Sequence, residues 1–85
     1  MVFLISYDLR KPDFDYDNLY QQLGELDAVH VQDSVWAINT GFSATKIFDL
    51  LWACMHSQRD RLLVVPFDKT KQFKAINSMQ KLGSI

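Results

Sequence analysis

The chain has 85 residues, 48% of them hydrophobic, and a formal net charge of −1. This length predicts one domain, and the near-neutral charge argues against a generally basic nucleic-acid binder. A single cysteine, Cys54, excludes an internal disulfide and fits a reducing, cytoplasmic compartment. No apolar run reaches the roughly 20 residues a membrane helix needs, so no membrane partner is expected.

A chain of this size buries only about 60–65% of its unfolded surface, so its own core is small. The apolar share is high for such a surface, and 13% of the residues are aromatic. Part of that apolar surface is expected to meet another chain. Met1 to Ser6 lacks a basic leader region and runs straight into Tyr7 and Asp8, so it does not read as a signal peptide.

Residues 2–8 form a β-rich apolar run, too short for an independent helix. Val2 and Leu4 fall on one face and Phe3, Ile5 and Tyr7 on the other, so both faces are expected to be covered. Leu9 to Asp15 reads as a loop punctuated by Pro12. Asp13, Asp15 and Asp17 stand where a helix begins, and acids there suit the helix dipole. Tyr16, Leu19, Tyr20 and Leu23 have i, i+3, i+4, i+7 spacing, which predicts one buried helical face. Gly24 or the segment Glu25 to Asp27 ends that helix.

Ala28 to Gln32 reads as a second strand with Val29 and Val31 inward, and Asp33-Ser34 as a tight turn or bulge. Val35 to Thr40 is a third strand with Trp36 and Ile38 on one face, broken by Gly41. Ser43 is a good N-cap for a second helix, whose core face carries Ile47, Leu50, Leu51, Cys54 and Met55. Arg61 to Phe67 is a fourth strand, apolar on both faces, and Pro66 assigns it to a sheet edge because proline cannot donate to a ladder. Lys69 to Ile85 reads as a short amphipathic helix or docking segment with Phe73, Ile76, Met79 and Leu82 near one side.

The order βαββαβ predicts a ferredoxin-like α+β fold: a four-stranded antiparallel sheet, both helices on one face, and a short C-terminal extension. The domain is expected over residues 1–68 and a basic tail over residues 69–85. Residues 1–68 hold five basic and ten acidic side chains, a balance of −5; residues 69–85 hold four lysines and no acid, a balance of +4. That asymmetry fits either a solvated or docking segment or a tail that meets something acidic. Strands apolar on both sides predict a homodimer in which the open faces or edges of two sheets meet, and a charge at Val64 is the expected probe of it.

Tyr7-Asp8-Leu9 at the end of the first strand and Val31-Gln32-Asp33-Ser34-Val35-Trp36 across the second turn resemble the CRISPR-associated protein two family. Arg61-Leu62-Leu63-Val64-Val65 looks like that family's last strand, so the resemblance covers most of residues 1–67. The family comprises small ferredoxin-like homodimers found with the spacer integrase. Its members tend to carry several basic residues on the first helix, whereas Tyr16 to Gln22 has none. The chain is more similar to stand-alone, SinR-like relatives; toxin-like ribonucleases of the virulence-associated protein D family are a more distant comparison. The resemblance implies a dimeric platform that binds a protein partner or nucleic acid. If nuclease activity is carried over, only Asp8 stands at a matching position.

Asp8 is accordingly the candidate catalytic and metal-binding residue. Two Asp8 side chains meeting across a dimer axis would hold one Mg²⁺ or Mn²⁺, since hard divalent ions take carboxylate and water oxygens. The alternative is a loop cap or an ion pair with Arg10 or Lys11. Arg10 and Lys11, just beyond Asp8, are the nucleic-acid-binding candidates. Asp13, Asp15 and Asp17 mimic the start of a calcium loop, but Asn18 replaces the required glycine and Gly24 the bidentate glutamate. His30 and His56 are far apart, and His56 with Cys54 does not make a zinc site. Trp36, Trp52, Tyr7, Phe42 and Phe73 are base-stacking candidates, with packing the favoured role because no RNP-like pattern interleaves with them. The reading that results is a non-catalytic homodimeric platform, with a metal-dependent endonuclease using Asp8 as the alternative.

Overall fold

Alternation along the first apolar run decides the architecture. In the computed structural model, which describes residues 1–76 and 85, strand β1 (Val2–Asp8) lies between two others. Phe3, Ile5 and Tyr7 point to one face and join the buried core; Val2 and Leu4 point to the other. The remaining elements are α1 (Asp17–Glu25), β2 (Val29–Gln32), β3 (Val35–Asn39), α2 (Ala44–Trp52) and β4 (Arg61–Phe67). The protein is α+β, with a four-stranded antiparallel sheet in the order β2-β3-β1-β4.

Both helices pack on one face of the sheet. Leu19 and Leu23 of α1 and Ile47 and Leu51 of α2 are buried against Phe3, Ile5, Tyr7 and Ile38. Each such side chain contributes about 1.5–3 kcal/mol by leaving water. Tyr20, expected on the buried face of α1, is exposed, because the stripe that meets the sheet is centred on Leu19 and Leu23. Ser43 caps α2 as its sequence predicts, accepting from the Lys46 amide at 3.1 Å. The first helix ends within Glu25 to Asp27, the second of its two expected ends. Gly24 lies inside it, and the chain leaves through Asp27 at φ 56°. Amides of Asp27 and Ala28 donate to the carbonyls of Gly24 and Leu23, closing a Schellman end on a residue other than glycine.

β4 occupies an edge and pairs only with β1, so Pro66 sits where a missing donor is tolerated. Val64 pairs with Ile5 on the helix side, and Leu63 with Ser6 on the open side. Val64 is therefore partly buried against the core, and Leu63 is exposed on the open side. Strand β2 also departs from its expected phase. His30 pairs with Trp36 and stacks on it at 4.4 Å on the helix face, while Val31 faces the other side with Leu4 and Val35. A register shift between His30 and Gln32 accompanies this placement.

Beyond β4 the Asp68 carboxylate accepts from the Thr70 amide and hydroxyl, and the Lys71 amide donates to the Asp68 carbonyl. This turn reverses the chain. Residues 69–76 are turn and irregular backbone, not the start of the expected helix. Residues 77–84 of that expected helix lie outside the described residues.

Candidate functional site at the end of β1

β1 ends on Asp8 because its pairing with β4 runs the full length of both strands, and the last pair joins Asp8 to Arg61. The backbone then turns away, and Arg10 folds back beside the same carboxylate. Asp8 Oδ2 lies 3.2 Å from an Arg10 guanidinium nitrogen and 3.7 Å from one of Arg61. All three side chains are about half exposed or more, so each ion pair contributes at most about 1 kcal/mol. Arg61 was read from sequence only as the first residue of a strand. Its place beside Asp8 follows from register, which carries no local signal.

Lys11, the second nucleic-acid candidate, turns instead to Asp13, its ammonium 2.6 Å from that carboxylate. This bond, above all, holds Asp13 below the ordinary carboxylate pKa. Asp15 accepts from the Asp17 amide at 2.9 Å, so the acids between Lys11 and α1 organise the helix start. With one carboxylate and two guanidiniums, the Asp8 cluster carries a local charge of +1. Among the described residues no group of three or more His, Cys, Asp or Glu side chains is placed to hold a metal ion.

Behind this cluster lies a buried carboxylate that sequence reasoning missed. Asp60, only 7% exposed, accepts from the Arg10 amide at 2.8 Å, the His56 amide at 2.7 Å and the Tyr16 hydroxyl at 2.6 and 2.8 Å. It ties the loop after β1, the start of α1 and the loop before β4 into one knot. Burial opposes its charged form, but the bonds from Tyr16, Arg10 and His56 outweigh burial and hold its pKa below the ordinary 3.8. Burial, and then donation to this carboxylate, raise the Tyr16 phenol above its ordinary 10.0. Asp60 thereby fixes the backbone from which Arg10 reaches Asp8.

No protein-family profile matches the chain. No curated protein matches it either.

The candidate stacking aromatics mostly serve packing. Trp36 donates its indole N–H to the Tyr7 hydroxyl at 2.9 Å on the helix side, which removes both from the open sheet face. Trp52 stacks on Phe48 at 5.8 Å, and Phe73 meets Phe67 edge-on at 5.0 Å. Phe42 is exposed in the loop before α2. No helix among the described residues is long and apolar enough to cross a membrane.

Proposed function

We propose that this chain is a ferredoxin-like, non-catalytic homodimeric platform, similar to the CRISPR adaptation subunit and its SinR-like relatives, that works in the cytoplasm and binds a protein partner or nucleic acid. The sheet order, with β1 central between β3 and β4, supports the ferredoxin-like reading. One observation carries the functional part: the Asp8 carboxylate is shared by Arg10 and Arg61. Both guanidiniums sit on Asp8 Oδ2, so a metal on this carboxylate would lie beside two positive charges, whereas a phosphate backbone would be drawn to them. This favours a binding role over the metal-dependent endonuclease alternative. An exposed Leu63 on the open face, 56% accessible, favours assembly with a second chain.

The test is a titration of Mg²⁺ and Mn²⁺ on labelled single- and double-stranded DNA and RNA, with the Asp8→Asn variant run alongside. No cleavage by either protein is the expected result. Metal-dependent cleavage that disappears in Asp8→Asn would reverse the assignment and make Asp8 the metal ligand of a nuclease.

A further inference from the structure

The open face of the sheet is apolar, with Leu4, Val31, Val35 and Val65 among its residues. A single protomer already has something lying on it. After the turn at Asp68–Lys71, Phe73 packs edge-on against Phe67 at 5.0 Å. Lys74, Ala75 and Ile76 then wall a cavity whose other side is Leu4, Val31, Gln32 and Val35. The segment thus crosses from the β4 edge towards β2 and β3.

We infer that residues 69–76 form a releasable strap, held in cis over the open sheet face. The turn that starts the strap is well bonded, through both polar groups of Thr70 on the Asp68 carboxylate. The strap itself is not. Among the described residues, no backbone hydrogen bond joins residues 72–76 to the sheet. Phe73 remains 41% exposed and Ile76 68% exposed. Side-chain contact without a ladder marks a segment that opens at low cost while the sheet stays folded. A tethered segment competes at high effective concentration, so any second chain seeking this face must first displace it. The strap goes beyond the platform reading, because it is a property of one protomer.

The experiment uses the full chain with Cys54→Ala, Val35→Cys and Ile76→Cys, treated with a short bis-maleimide at low protein concentration. The expected product is a monomer-sized species with both thiols consumed by one linker. Two singly modified thiols, or linkage only between chains, would overturn the assignment in cis. Release is read separately in the full chain carrying Phe73→Ser and Ile76→Ser. Binding of an apolar fluorescent dye should rise about two-fold or more, as expected for newly exposed apolar surface. Circular dichroism should stay unchanged, since the helix-side core is untouched. Unaltered dye binding in the folded variant would refute release. Both readouts are taken at a protein concentration where light scattering reports a monomer and without metal or nucleic acid, so their failure is distinguishable from failure of the platform reading.

Discussion

Asp60 gathers three backbone or hydroxyl donors from segments far apart in the chain. An Asp60→Asn variant keeps the volume and turns an amide group towards donors that need an acceptor. A loss of about 1–3 kcal/mol is expected at neutral pH, read from urea unfolding midpoints. The sign with pH follows from the depressed pKa. The native carboxylate contributes its stability above the unfolded value of 3.8 and loses it as pH falls through the lower folded value. The difference between the two proteins should therefore shrink at strongly acidic pH; a constant difference would mean that charge is not the cause. Tyr16 behaves oppositely. Its raised phenol contributes fully below 10.0 and is lost as pH rises above that; burial raises the Tyr7 phenol too, so Tyr16→Phe should reduce the alkaline loss of stability without removing all of it. Gly24 offers a simpler prediction. It lies inside α1 with nothing within 4 Å of an added Cβ. Gly24→Ala should stabilise the protein by about 0.5–1 kcal/mol in the same assay, and destabilisation would show that the Schellman end needs glycine there.

At the scale of elements, the hairpin of β2 and β3 turns through Asp33 and Ser34, with Ser34 at φ 63°. A left-handed residue with a Cβ costs about 1–2 kcal/mol, and its carbonyl is committed to the Tyr7 amide at 3.1 Å. Ser34→Gly should raise the thermal midpoint, whereas Ser34→Val, β-branched at the same φ, should lower it by more. Equal midpoints for the two would show that the turn relaxes to another conformation. The cost is accepted at this position because the turn carbonyl anchors β1, the strand that leads to Asp8. Just past the end of α1 the same left-handed geometry recurs at Asp27, where the reversal sends the chain into β2.

For the whole molecule, the decisive feature is a sheet with apolar side chains on both sides but helices on one. Leu63, exposed on the open face of an edge strand, is the position to test assembly. Leu63→Asp should shift the mass measured by light scattering from dimer to monomer with the fold intact by circular dichroism. A monomeric unmodified protein would sink the homodimer. The same substitution at Val64 would be uninformative, because Val64 packs towards α2 and a charge there attacks the core.

Much of this protein was determined by the sequence alone. Alternation set both faces of β1, Pro66 predicted the edge, spacing of three and four residues marked Leu19, Leu23, Ile47 and Leu51, and Ser43 announced its helix. Each depends on the pitch of one element or the chemistry of one residue, and these are local quantities. The phase of β2 was not legible, since a four-residue Val-His-Val-Gln strand in a sheet apolar on both sides accepts its valines on either face. Tertiary structure alone decided that Asp60 is buried, that Arg61 faces Asp8, and that residues 74–76 lie beside Leu4, Val31 and Val35. These depend on contacts across the fold, with Tyr16 and Asp60 separated by 44 positions and Arg10 and Asp60 by 50. Register and chain reversal bring such groups together, and neither leaves a periodic trace in the residues that meet.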